Sequence, residues 1–187
     1  MNMIIYYLLM VLPVVAVLSL LVYLPIFCIN KKKHGKRPFV RHLVIYALIG
    51  VVLSILYATI LIDGINITFH PGYHLLNLIP FVWVKETYEM GAARMVEQLL
   101  MNIVMLIPLG FILPIVFPSL RQWWKTGLCI MVFILCIEVF QYFIGRSADI
   151  DDLIMNTLGG LIGYAIMKLC NRCFGRKTWW KNICSMI

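Results

Sequence analysis

Glu138, Gln141, Arg146, Asp149, Asp151, Asp152 and Asn156 fall within nineteen residues of a chain that is apolar on both sides of them. Carboxylates at this density can serve as general acid or base, or ligate a hard divalent cation through oxygen. A guanidinium beside them can pair with a carboxylate or grip a phosphate bidentately. No Ser-His-Asp order, phosphate-binding glycine loop or zinc motif accompanies them, so the residues leave the reaction type open.

The elements that must position this cluster are membrane spans. The chain has 187 residues, is 63% hydrophobic and only 13% charged, with a mean hydropathy of +0.94. A water-soluble domain of that length carries far more surface charge. A spanning helix needs about 20 mostly apolar residues, and five segments qualify, at roughly 4–29, 42–63, 98–118, 126–145 and 152–169. The expected fold class is therefore all-α, a polytopic transmembrane helix bundle forming a single domain. The first segment is longer than the apolar core of a signal peptide, has no basic stretch before it and ends in no small-residue cleavage site, so it reads as a retained helix.

Lys and Arg set the orientation. With five spans, thirteen of the sixteen fall on one side: six in "NKKKHGKRPFVR", Arg121 and Lys125, and five from Lys168 to Lys181. No acidic residue accompanies them. The other side holds Lys85, Arg94 and Arg146 against seven acidic residues. This asymmetry places the N-terminus outside, the C-terminus in the cytoplasm and the acidic cluster on the extracytoplasmic side. The net charge of +8 belongs to the same asymmetry, so nucleic acid is not an expected partner. Membrane lipids are, and the run at 31–41 could touch anionic headgroups.

Residues 64–97 form the longest non-spanning stretch. They are amphipathic and carry Tyr73, Phe81, Trp83 and Tyr88, residues that suit a membrane interface. A re-entrant or surface-lying extracytoplasmic segment is expected there. Pro108 and Pro114 in the third span invite kinks, and Gly159 and Gly163 in the fifth make the small-xxx-small spacing that lets helices approach closely. Six cysteines give no framework. Cys170 and Cys173 form a CxxC without a second pair or histidine nearby, and a cytoplasmic pair stays reduced, so it reads as incidental.

Glu138 lies about 10 Å below the outer end of the fourth span. A carboxylate facing lipid at that depth costs at least a few kcal/mol, so it should face the bundle or a wet cavity. Gln141 shares its face. Gln98 and Asn102 share a face of the third span at similar depth. Asp149 is placed to cap the fifth, and Asp149, Asp152 and Asn156 recur at i, i+3 and i+7 as one descending stripe. Buried polar groups need partners, so the three stripes should converge in a pocket open outward, with Arg146 at its lip. Capping by the aspartates and interhelical hydrogen bonding by Asn102 and Asn156 are the structural alternatives.

"NLIPF" (77–81), "NIVMLIPLGFILP" (102–114) and "EVFQYFIGRSADIDDLIMNTLGGLIGY" (138–164) together resemble the VanZ-like family, over about residues 70–168. The organisation this suggests is two N-terminal helices with a basic cytoplasmic loop (1–69), a VanZ-like domain (70–168) and a basic cytoplasmic tail (169–187). The motif positions carried over are Asn77, Pro80, Phe81, Asn102, Pro108, Gly110, Glu138, Gln141, Arg146, Asp149, Asp152, Asn156, Gly159 and Gly163.

The resemblance implies a small polytopic bacterial membrane protein of a family associated with teicoplanin resistance. It leaves the biochemical activity open, and with it whether the protein is an enzyme. The expected site binds or modifies a lipid-linked cell-wall precursor or a surface envelope glycan. In a catalytic version Glu138 or Asp152 acts as general acid or base, with Asp149 beside them. Arg146, Gln141, Asn156, Asn102, Gln98 and Asn77 would bind the substrate. A divalent cation on Glu138, Asp149, Asp151 and Asp152 is a further possibility. The rival readings are a shielding or partner protein of an envelope complex, and a small transporter, against which the lack of a polar path through the inner half counts.

Overall fold

The computed structural model of the chain describes residues 11–34, 38–61, 76–81 and 92–184. Five of its helices are long and apolar enough to cross a membrane. They are α1 (Leu12–His34), α2 (Phe39–Leu56, continued to Leu61 by one wider π turn), α3 (Ala92–Val116), α4 (Trp123–Phe143) and α5 (Ile150–Phe174). A short α6 (Thr178–Cys184) ends the described chain. Two-residue strands β1 (Leu76–Asn77) and β2 (Ala148–Asp149) pair in parallel, Leu76 opposite Ala148 and Asn77 opposite Asp149. The architecture is an all-α polytopic bundle. In hydrocarbon only a helix satisfies every backbone polar group within its own segment, which is why long apolar runs have no other regular option. Most of the segment expected to be re-entrant or surface-lying over 64–97 lies outside the described residues.

The helices run past the apolar windows at several ends, because polar ends outside the hydrocarbon can continue a helix once it is nucleated. Pro108 and Pro114 sit inside α3 without ending it. Pro118 lacks the N–H that would serve the Pro114 carbonyl, and Arg121 Nε donates to that oxygen instead at 3.3 Å.

α3 and α5 make the closest packing in the bundle. A Cβ on Gly110 would run into the Gly160 carbonyl, one on Gly159 into that of Ile103, and one on Gly163 into that of Ile107. Backbone therefore touches backbone along three turns, where hydrocarbon solvent provides little other drive for association. α4 packs on α5 beside them. The main core joins Ile55, Leu106, Leu109, Leu113, Ile130, Ile134 and Ile137. By contrast α1 packs chiefly on α2, and its leucines remain exposed to the surroundings.

The two ends of the bundle differ in chemistry. The basic end is tied by Tyr164, whose hydroxyl donates to the Arg121 carbonyl at 2.7 Å, and by Arg121, which donates to the Cys184 carbonyl. Trp180 Nε1 donates to Asn171 Oδ1 at 3.0 Å and seats α6 beneath α5. The acidic end carries the α4–α5 connection.

Candidate functional site

The α4–α5 connection is a tight turn of defined type. Arg146 N–H reaches back to the Gln141 carbonyl at 3.0 Å and Gly145 N–H to that of Tyr142 at 3.4 Å. This double closure requires a left-handed residue after the helix, and Gly145 supplies it at φ 95. The chain is thereby reversed so that Arg146 returns over α4 and Asp149 starts α5.

Asp149 is the N-cap of α5, its side chain accepting from Asp151 N–H at 2.8 Å. Its own N–H donates to Glu138 Oε2 at 3.1 Å. Asn77 Nδ2 donates to both Asp149 carboxylate oxygens at 3.2 Å, alongside the β1–β2 pairing. Asp151 is buried, and its Oδ1 accepts from Phe81 N–H at 2.7 Å. Phe81 has a φ of 67, unusual for a bulky residue, and this bond helps hold it there. Asn102 on α3 donates to Asp152 Oδ1 at 2.5 Å. Gln141 and Arg146 both donate to the Thr59 carbonyl, at 2.8 and 3.1 Å.

Gln98, Asn102, Glu138, Gln141, Arg146, Asp152 and Asn156 line one cavity of about 870 Å³ between α1–α2 and α3–α5. The polar stripes of α3, α4 and α5 thus form one wall of a single space. Gln98 is exposed where it lines the cavity; Glu138, Gln141 and Asn156 are buried. Asp149 and Asn77 are not among the lining residues. They form a clamp behind it, tying residues 76–77 to the start of α5. Nor do Glu138, Asp149, Asp151 and Asp152 come together as a cation site: among the described residues no group of three metal-ligating side chains is gathered. Asp149 and Asp151 accept from Asn77 and Phe81 in the 76–81 segment, whereas Asp152 turns to Asn102 on α3.

Two contributors were missed in the sequence. Thr59 offers its carbonyl to Gln141 and Arg146 from the wider turn at the end of α2, and no side-chain pattern marks a backbone acceptor. The opposite wall comes from α1 and α2, with Val15, Ala16, Gly50, Val51 and Ile55 alongside Ser19, Tyr46 and Ser54. Small and hydroxyl residues on facing sides of the first two spans were the available signal.

Five helices long and apolar enough to cross a membrane, packed as one bundle, define a small multi-pass membrane protein. The chain belongs to the VanZ/LLP1 family, whose model matches residues 39–171. It is similar to Protein VanZ of Enterococcus faecium, 29% identical over 109 residues. That alignment takes in 57% of this chain and 62% of the relative, so it spans less than two thirds of the relative's length. No solved structure matches the chain.

Proposed function

We propose that this protein binds an amphiphilic component of the bacterial cell envelope, lipid-linked or surface-exposed, in the cavity between α1–α2 and α3–α5, and that this binding lowers susceptibility to teicoplanin-like lipoglycopeptides. The observation that carries the reading is that one cavity is lined both by Glu138, Asp152 and Arg146 and by apolar residues such as Val15, Val51 and Ile55. Such a space suits a molecule with a polar head and an aliphatic body. Membership of the VanZ/LLP1 family supports the link to glycopeptide antibiotics.

The acidic end faces the outside in this reading, because the opposite end carries the Lys and Arg excess that cytoplasmic loops show. Should the site also catalyse, Glu138 or Asp152 would exchange a proton with the bound head. The test is expression in a teicoplanin-susceptible host. Wild type should raise the inhibitory concentration, and Glu138→Gln and Asp152→Asn should abolish the rise at equal membrane abundance. Equal protection by both variants rejects the cavity as the working site.

A further inference from the structure

We infer that the head of the cavity's ligand carries a primary ammonium, seated on Glu138 and Asp152, with its aliphatic chain lying against α1 and α2. The inference rests on the cavity reading above and names the ligand chemistry that reading leaves open.

The first argument is hydrogen-bonding capacity. Glu138 is only 7% exposed, and its Oε2 already accepts from Asp149 N–H. Its Oε1 accepts from no described residue. Asp152 uses Oδ1 for Asn102, and the buried Asn156 has an Oδ1 without a partner among the described residues. Glu138 and Asp152, both lining the cavity, therefore hold unused acceptor oxygen, whereas the unpartnered Asn156 Oδ1 is closed off from it. A primary ammonium brings three N–H donors and no acceptor.

The second argument is charge. Glu138 and Asp152 line the cavity, Asp149 and Asp151 lie outside its lining at the same end of the bundle, and Arg146 is the one cation among the lining residues. The N-terminus of α5 offsets part of that excess, by roughly half a charge. An anionic head would meet a net negative wall, whereas a cationic one completes it. A zwitterionic head fits as well, its phosphate lying toward Arg146.

The third argument is access. α2 is anchored to the bundle through Ile55 and Thr59, but α1 packs chiefly on α2, so α1 is the loosely joined part of that side of the cavity. A chain-bearing ligand can reach the cavity from the lipid phase between α1 and α3 without crossing the tight α3–α5 seam.

The experiment uses the full chain in detergent, offered equimolar ethanolamine, choline and glycerol phospholipids of identical chains. Retained lipid is counted by native mass spectrometry. The ethanolamine lipid should be favoured by roughly tenfold over the glycerol lipid, the size expected for a charge-assisted contact. The trimethylated choline head keeps the charge but has no N–H and should bind worse than ethanolamine. The Glu138→Gln, Asp152→Asn double variant should lose the preference while eluting and melting as wild type does. Should that variant misfold, competition on wild type decides. Decylammonium should displace the ethanolamine lipid and decyl phosphate should not, which also separates the ammonium from a phospholipid source. Equal binding of the three lipids, or equal competition by the two decyl compounds, overturns the inference. In either case the susceptibility experiment still judges the broader reading by itself.

Discussion

Glu138 on α4 accepts a hydrogen bond from the main-chain N–H of Asp149 at 3.1 Å, joining the end of one spanning helix to the cap of the next. The carboxylate is both structural and available, since one oxygen holds the turn while the side chain lines the cavity. Glu138→Gln keeps an acceptor for Asp149 and should melt close to wild type. Glu138→Ala leaves that half-buried N–H without its acceptor and should lose about 1 kcal/mol. Thermal unfolding in detergent separates the two. Indistinguishable melting of both variants denies the bond its structural part.

The clamp of Asn77 on Asp149 predicts a local rather than a global effect. Asp149→Asn retains a good cap for α5, while Asp149→Ala should cost about 1 kcal/mol through the cap alone. Either change, or Asn77→Ala, weakens the tie that holds residues 76–81 against the start of α5. Amide exchange should speed up in that stretch and stay slow within α3 and α5, which hydrogen-exchange mass spectrometry resolves. Unchanged exchange at 76–81 in Asn77→Ala would show that the β1–β2 pairing suffices.

The α3–α5 seam should be the least tolerant surface of the molecule. Gly159→Val and Gly163→Val set a side chain against the carbonyls of Ile103 and Ile107, which are backbone and cannot swing aside. The cost should exceed the roughly 1–3 kcal/mol typical of overpacking. Little monodisperse protein should be recovered. Gly50→Ala is the control, because its Cβ meets only Ser19 Oγ at 3.5 Å. It should gain up to about 1 kcal/mol from helix propensity. Size-exclusion profiles and yields compare them directly.

How much of this was legible in the sequence follows from what each feature depends on. The five spans were, because twenty apolar residues in lipid admit one regular structure. So was the face of α5 bearing Asp152 and Asn156, which helical periodicity sets, and the grouping of Asn102 with Asp152 followed from the need of buried polar groups for partners. Asp149 read as a cap, and as one member of a common stripe, yet it stands behind the cavity. Its two roles are mutually exclusive, and only the turn at Gly145 decides between them. The Thr59 carbonyl and the α1–α2 wall were not legible. They depend on where a backbone turn widens and on how two greasy helices tilt, neither of which periodicity records.

Orientation is the remaining physical premise, and thiol labelling tests it. Ser147, beside the acidic turn, and Ser119, between α3 and α4, are both exposed. As single cysteines in a chain otherwise free of them, Ser147→Cys should react with a membrane-impermeant maleimide in intact cells. Ser119→Cys should react only after permeabilisation. The reverse pattern would put the cavity wall of Glu138 on the cytoplasmic side and remove the envelope-facing site. Cys184 at the basic end supplies a second, independent readout. Its thiol is pushed up from the ordinary range by burial, against an opposing pull from Arg121. The thiolate is the reacting species, so at neutral pH a lone Cys184 should label more slowly than Ser119→Cys. The gap should close as pH rises and the buried thiol deprotonates. Arg121→Gln removes a stabilising charge and should slow Cys184 further; faster labelling of that variant would mean that the α6 contact, rather than thiol acidity, controls the reaction.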